Sequence, residues 1–259
     1  MKLVVLLENT ACSPQLHTEH GLSLYLEACG HKILFDAGQS EAFASNAAAL
    51  GVDLAAVDFA ILSHGHYDHG DGMPCFLQKN DHAPVYLQHS ACGEYYNGKG
   101  RYIGLCPALV QSDRLVFSGD VTPLAPGLTL FTCNKQTPIV PLNPYGLTRR
   151  QGDVLVPDDF VHEQYLLIEE AGKRILISGC AHKGVLNLVH WFRPNVLVGG
   201  FHFKTETNTA FLQHAAHTLL QYPARYYTGH CTVEQQYAVM KQIMGEALQP
   251  ICTGSILEL

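Results

Sequence analysis

The feature that most constrains this chain is a dense group of metal-capable side chains directly after a short apolar run. The stretch AILSHGHYDHGDG, residues 60–72, contains three histidines and two aspartates. Residues two apart in an extended segment project to the same side, so His64 and His66 point together, and Asp68 and His69 follow after a turn. Interspersed glycines let the backbone bend tightly around an ion. One pair suits one metal ion and the other pair suits a neighbouring ion, so the pattern predicts a two-metal cage at the end of a buried strand.

Composition limits the class of protein. The chain has 259 residues, of which 47% are hydrophobic, so it can bury a sizeable core without covalent staples. A formal net charge of -7 argues against a nucleic-acid partner, because no basic excess exists to neutralise phosphates. Fifteen histidines is a high count, and histidine is a common metal ligand at neutral pH.

Cysteine usage and the apolar runs suggest a location. The nine cysteines are odd in number and none forms a C-x-x-C pair, which predicts reduced thiols and no disulfide framework. The apolar run at residues 3–7 is too short for a signal-peptide core or a membrane span. We therefore expect a soluble, cytoplasmic protein with no membrane partner. The sequence leaves the oligomeric state open.

Hydrophobic patterns predict a layered α/β fold. Short β-branched or aromatic runs dominate the first part of the chain, and strands then alternate with helices to the end. Helical periodicity is found at residues 40–50, 184–192, 207–221 and 233–248. Residues 91–160 carry seven of the thirteen prolines and little helical periodicity. We predict a single domain, 1–259, with a long and partly irregular excursion at 91–160.

The histidine-rich stretch resembles a known signature. SHGHYDHGDG, residues 63–72, is similar to the H-x-H-x-D-H motif of the metallo-β-lactamase-fold superfamily. The resemblance implies a four-layer αββα sandwich with a two-metal site at one edge. It also implies further ligands in a fixed order: a histidine before a hairpin, a residue after the hairpin, and a last histidine before a helix. The metal ligands implied are His64, His66, Asp68, His69, His162, Cys180 and His230.

Cys180 departs from the superfamily pattern. Most members carry a bridging aspartate where ISGC places this cysteine. A thiolate favours zinc over harder metals, so we expect two divalent ions, zinc in preference to manganese or iron. Two alternatives stay open: Cys180 as a small buried residue behind the site, and His182 as its substitute ligand or as a substrate contact. Asp120 in VFSGD is rejected as a ligand because it precedes His162 in the chain.

A narrower resemblance covers nearly the whole chain outside 91–160. EHGLSLYLE, ILFDAGQS, ISGCAHKGVLN, GGFHF and YTGHCT occur together. They are similar to the metal-dependent hydrolase group named for 7,8-dihydropterin-6-yl-methyl-4-(β-D-ribofuranosyl)aminobenzene 5'-phosphate synthase. Asp36 in ILFDAGQS is expected to orient a ligand histidine from behind. Fold alone does not fix the chemistry of a member.

The expected function is hydrolysis of a small ester or phosphoester by a metal-activated hydroxide. Asp68 would bind metal and orient the hydroxide, and His182 or His202 would protonate the leaving group. Residues of the excursion could hold a flat or anionic substrate: Tyr95, Tyr96, Arg101, Tyr102, Arg149 and Arg150.

Three other functions remain open. The first is the condensing transferase of the group's name, which couples a pterin to a ribofuranosylaminobenzene phosphate. The second is a redox role like that of the flavodiiron proteins, which share the fold but resemble a longer chain. The third is a non-catalytic metal- or ligand-binding module.

Overall fold

The computed structural model describes every residue from Met1 to Leu259, and its backbone forms two large sheets and one small one. Strands and helices are numbered here in chain order. In spatial order the first sheet comprises β17 (Ile256–Glu258), β1 (Lys2–Leu7), β2 (Ser23–Ala28), β3 (His31–Phe35), β4 (Phe59–Ile61), β5 (Val85–Gln88) and β7 (Leu115–Ser118). The second comprises β16 (Leu248–Pro250), β15 (Arg225–Thr228), β14 (Val196–Val198), β13 (Lys173–Ile177), β12 (Tyr165–Glu170), β9 (Leu128–Phe131) and β8 (Val121–Ala125).

Seven α-helices lie along the chain. They are α1 (Ala42–Ala49), α2 (Tyr67–Gly70), α3 (Met73–Lys79), α4 (Pro107–Val110), α5 (Val185–Phe192), α6 (Thr209–Leu219) and α7 (Glu234–Met244). None of these helices is long and apolar enough to cross a bilayer.

Alternating side chains build the layers. Leu3 and Val5 of β1 pack between the two sheets, together with Leu166 and Ile168 of β12. Val4 of β1 faces outward and packs with α1 and α3 in a separate cluster. The outer face of the second sheet packs on α5, α6 and α7 in a third cluster. Successive strand residues point to opposite faces, so each sheet has one face toward the other sheet and one face toward helices. The predicted αββα sandwich is confirmed.

Two runs of parallel strands place the site. In the first sheet β3, β4, β5 and β7 pair in parallel. In the second sheet β13, β14, β15 and β16 do the same. The carboxyl ends of neighbouring parallel strands lie at one edge of a sheet, which is where ligand sites form in such folds.

The 91–160 tract is more regular than its prolines suggested. It supplies β7 to the first sheet and both β8 and β9 to the second. Only β6 (Tyr95–Tyr96), β10 (Thr148–Gln151) and β11 (Val154–Pro157) form a separate small sheet. Pro123 lies in β8, an edge strand with a register shift, and Pro107 opens α4; both positions tolerate a missing N–H. The single-domain organisation stays a prediction.

The prediction that every cysteine is reduced is wrong for one pair. Cys12 and Cys252 form a disulfide across a sequence separation of 240 residues. A backbone bridge between Ala11 and Thr253 brings the two loops together. Two cysteines so far apart leave no local motif, so their pairing depends on the tertiary fold. The other seven cysteines are free.

Candidate metal centre

Loops that follow the parallel strands bring the predicted site residues to one edge of the sandwich. His64 and His66 follow β4, and Asp68 and His69 lie in α2. Residues from the second sheet meet them: Cys180 and His182 after β13, His202 after β14, and His230 after β15. Both sheets are needed to assemble this cluster.

One group consists of three buried histidines. Ring nitrogens of His64, His66 and His182 converge, and the Nε2 atoms of His64 and His182 lie 3.3 Å apart. The Nε2 atom of His66 is buried without a hydrogen-bond partner. Burial, reinforced by the neighbouring rings, lowers the pKa of all three well below the usual histidine value. The three imidazoles are therefore neutral at pH 7, which is the form that binds metal.

A second group lies beside the first. The Nε2 atom of His69 is 3.1 Å from Nε2 of His230 and 3.2 Å from the sulfur of Cys180. The Oδ2 atom of Asp68 lies 3.6 Å from Nε2 of His230. Burial raises the pKa of the Cys180 thiol well above its usual value. Without a cation nearby, this thiol keeps its proton at pH 7.

Asp36 links the two groups from behind, as its place at the end of β3 suggested. Its Oδ2 atom lies 2.6 Å from Nδ1 of His69 and accepts the Ser63 hydroxyl proton at 2.7 Å. Because that hydroxyl donates its one hydrogen to Asp36, it accepts from Nδ1–H of His64 at 2.8 Å. Both histidines thus carry a proton on Nδ1 and turn Nε2 toward the centre. Burial lowers the pKa of His69, but Asp36 outweighs it and raises the pKa to about 9.

His162 is buried next to the first group, but its ring is occupied. Nδ1 accepts the backbone N–H of Gly65 at 3.0 Å, and Nε2 lies 3.1 Å from Oδ2 of Asp158, to which it donates. Neither nitrogen is left for an ion in this arrangement. The ligand role of His162 stays a prediction, and His182 holds the position that converges with His64 and His66.

Two residues outside the predicted ligand set also contact the cluster. The Nε2 atom of His20 lies 3.3 Å from Oδ2 of Asp68, and its ring stacks on that of His230 at a centroid distance of 4.7 Å. The Oδ1 atom of Asn9 accepts from Nδ1 of His230 at 3.1 Å. Their position after β1 offered no pattern that could reveal either contact.

A buried carboxylate supports the loop after β13. Glu163 accepts the backbone N–H groups of His182 and Lys183 at 2.7 and 3.0 Å, and it also accepts the Tyr165 hydroxyl. The Nζ atom of Lys183 donates to the carbonyl oxygens of Thr132 and Glu163. Burial lowers the pKa of Lys183 to about 8. Sequence reasoning missed Glu163 because nothing local distinguishes a buried glutamate from an exposed one.

His202 reaches the centre from β14. Its ring lies 4.1 Å from that of His182 and 4.8 Å from that of Tyr145, and its Nδ1 atom is buried without a partner. Asp120 instead pairs with Lys135 in a pair largely open to solvent, away from the cluster.

The arginines expected to hold an anionic substrate are engaged elsewhere. Arg149 makes two hydrogen bonds to Asp159, and Arg150 pairs with Glu94. Arg101 lies over the ring of Tyr67. Tyr95 is buried against His162.

The fold and this histidine-rich edge define a class, and comparison with known proteins agrees. The chain belongs to the metallo-β-lactamase superfamily: the family model described as "Metallo-beta-lactamase superfamily" matches residues 18–105. It is 30% identical over 207 residues to an uncharacterized protein of Methanocaldococcus jannaschii, covering 76% of this chain and 78% of that one.

Two further proteins cover almost the whole chain. The first is the 7,8-dihydropterin-6-methyl-4-(β-D-ribofuranosyl)-aminobenzene-5'-phosphate synthase of M. jannaschii, 24% identical across 93% of this chain and 90% of the synthase. The second is the crystal structure of Tm1679, described as a metal-dependent hydrolase of the β-lactamase superfamily. It superposes with a TM-score of 0.85 at 23% identity, covering 100% of this chain and 99% of that one.

Proposed function

We propose that this protein is a dinuclear zinc hydrolase that cleaves a small ester or phosphoester. The observation that carries the proposal is a converging group of three buried histidines at one edge of the sandwich, with a second series of contacting donors beside it. His64, His66 and His182, whose donor atoms converge, would hold one ion. His69, which contacts both Cys180 and His230, would hold the other ion with these two residues and with Asp68, which contacts His230. His162 would position His66 and Gly65 rather than bind metal.

The donor set supports a pair of zinc ions. Tetrahedral zinc with nitrogen ligands at about 2.0–2.1 Å keeps those nitrogens roughly 3.3–3.4 Å apart. The facing Nε2 pairs, at 3.3 Å for His64 and His182 and 3.1 Å for His69 and His230, are close to that spacing. The unpartnered Nε2 of His66 would gain a partner. One thiol among imidazoles favours zinc over manganese.

The metal ions and the side chains would have different roles in the reaction. When bound, two divalent ions supply Lewis-acid activation of water and of the substrate's oxygen. Asp68 holds His20 at 3.3 Å, and this imidazole, with 34% of its side chain exposed, connects the site to solvent. With His182 assigned to an ion, proton donation to the leaving group falls to His202, whose Nδ1 is free.

Metal analysis of protein purified without added metal tests this proposal. We expect about two zinc ions per chain, and about one in His182→Ala. His89→Ala serves as the control, because His89 packs on Phe117 outside the cluster and its loss should leave the zinc content unchanged. Full zinc content in His182→Ala, with loss in His162→Ala, would return the ligand role to His162.

Activity is the second half of the test. Zinc-loaded protein should hydrolyse p-nitrophenyl acetate or bis(p-nitrophenyl) phosphate, and His64→Ala should abolish turnover. A zinc-loaded protein that cleaves neither compound would count against the hydrolase and leave the transferase and the binding module.

A second candidate, the condensing transferase, is supported by the similarity to the synthase across 93% of this chain. It requires a site for a phosphorylated, two-ring substrate. The pairing of Arg149 and Arg150 with carboxylates disfavours it. A condensation assay with a pterin and a ribofuranosylaminobenzene phosphate separates it from hydrolysis.

A further inference from the structure

A cavity of about 400 Å³ lies directly beside His182. One wall is the segment 140–145, and the opposite wall is the loop 182–187 that leads into α5. Phe203, Glu206 and Phe211 complete the lining. Its volume is within the range of small-molecule sites. A substrate whose reacting group lies at the histidine cluster would extend into this space.

The outer wall is anchored before any ligand arrives. Asn187 accepts the N–H groups of Ile139 and Val140 at 2.9 Å each and donates to the Val140 carbonyl at 2.9 Å. The indole N–H of Trp191 donates to the carbonyl of Thr137 at 3.1 Å. These bonds fix the segment against α5, so the cavity is preorganised rather than created by binding.

The lining offers no free positive charge. Its one cationic side chain, Lys183, is buried and donates to two backbone carbonyls. Its one carboxylate, Glu206, already accepts the N–H of Asn208 at 2.7 Å. Most of the remaining surface is apolar, including Val140, Leu142 and Tyr145. A charged group placed here would lose its hydration without gaining an ionic partner.

A larger cavity of about 680 Å³ is a poorer candidate. Of the cluster it borders His230, together with Glu8 and Asn9 behind that ring. The Nε2 atom of His230 faces His69, whereas Nδ1 faces Asn9. This cavity therefore lies behind a ligand residue instead of in front of it.

We infer that the cavity beside His182 binds an uncharged, apolar acyl or aryl group, and that the enzyme selects esters whose non-reacting part is neutral. The inference rests on the proposed function, because it places the reacting ester at the neighbouring histidine cluster. It assigns specificity to the 140–145 segment, with Leu142 as the residue to test.

Two esters of equal chain length test the inference. p-Nitrophenyl hexanoate and mono-p-nitrophenyl adipate share the leaving group and differ by one terminal carboxylate. We expect kcat/KM to favour the hexanoate about tenfold or more. Leu142→Lys should reverse or abolish this preference, since it introduces a cation at a side chain that is already 38% exposed.

The control is Val154→Lys, which adds the same charge at an exposed valine of β11 outside the cavity. It should keep the hexanoate preference. Equal kcat/KM for the two esters in the unmodified protein, or an unchanged preference in Leu142→Lys, would overturn the inference.

A binding measurement separates this inference from the proposed function. Trp191, the single tryptophan of the chain, is hydrogen-bonded to the cavity wall, so its fluorescence should report occupancy. Benzamide should saturate the signal, and the carboxylate analogue 4-carbamoylbenzoate should bind about tenfold more weakly. Saturable benzamide binding in a protein inert to all esters would uphold the cavity and reject the hydrolase. Ester turnover in a protein that binds both probes equally would uphold the hydrolase and reject the inference about the cavity.

Discussion

At the residue scale, the histidines proposed as ligands are oriented by acceptors on their far sides. Asp36 fixes His69, Ser63 fixes His64, and Asn9 fixes His230, each through Nδ1. Asp36 does so from a left-handed backbone with φ of 57°, a conformation that aspartate tolerates better than most residues. Such strain at a residue with three buried contacts is typical of functional positions.

Proton release on zinc binding follows from these residues. His69 has a pKa of about 9, and the Cys180 pKa is raised well above its usual value, so both carry a proton in the metal-free protein at pH 7. Each must lose it to bind zinc, so zinc affinity should rise with pH, about tenfold per unit for each proton released. Calorimetry in buffers of different ionisation enthalpy measures the number released.

Cys180→Ala should release about one proton fewer than the unmodified protein. Cys92→Ala is the matched control, because Cys92 is free and outside the cluster. The same proton count in Cys180→Ala would show that the thiol is only a packing residue.

At the element scale, the loop after β13 determines the first donor group. Glu163, just before β12, holds the backbone of residues 182 and 183 and so sets where His182 stands. Because Glu163 is buried and its carboxylate accepts three donors, an amide in its place would leave a donor unmatched.

Glu163→Gln should weaken zinc binding at the first group by about 10–100-fold, the usual effect of losing a residue that orients a ligand. It should also lower the free energy of unfolding by about 1–3 kcal/mol. Glu169→Gln, at the exposed end of β12, is the control and should change neither quantity.

Cobalt substitution distinguishes positioning from general destabilisation. The thiolate–cobalt absorption of the Cys180 group should persist in Glu163→Gln while the first cobalt is lost. Equal weakening of both sites would reduce Glu163 to a structural role.

Elements with a strong periodicity were predictable, and those without one were not. The apolar repeat predicted α6 within residues 207–221, and the structure places it at Thr209–Leu219. α3 was missed because Gly72 and Pro74 look like a turn, although proline suits a helix's first positions. β10 and β11 were missed because they form an exposed ribbon without an alternating buried face.

At the scale of the whole molecule, the centre joins residues that only the fold brings together. The motif at residues 64–69 could be predicted from the sequence because the spacing of its histidines and aspartate identifies it. The roles of His20, Asn9 and Glu163 were not, since each depends on contacts across long stretches of chain. The cytoplasmic location and the absence of macromolecular partners stay predictions.

Acid should destabilise the metal-free protein. Burial lowers the pKa of His64, His66, His182 and His230 well below 6.5. Below that pH the unfolded chain binds protons that the folded protein does not, so each group reduces stability by up to about 1.4 kcal/mol per pH unit. His69 acts in the opposite direction: its stabilisation is full below about pH 6.5 and is lost as pH rises through about 9.

The metal-free protein should therefore be most stable near neutral pH. Urea unfolding of chelator-treated protein at pH 5.5 and at pH 7 measures how much stability is lost on the acid side. Both pH values lie above the range in which most carboxylates titrate, so the difference reports the histidines. An equal midpoint at the two pH values would contradict the neutral, buried state of these four histidines.

The disulfide between Cys12 and Cys252 closes residues 12–252 into a covalent ring. Every proposed metal ligand, from His64 to His230, lies inside that ring. In a single-molecule pulling experiment, tension applied at residues 1 and 259 would pass through the sulfur–sulfur bond and bypass the metal centre. Under reducing conditions the same tension would extend the segments that carry the ligands, so the extension per molecule reports whether the ring is closed.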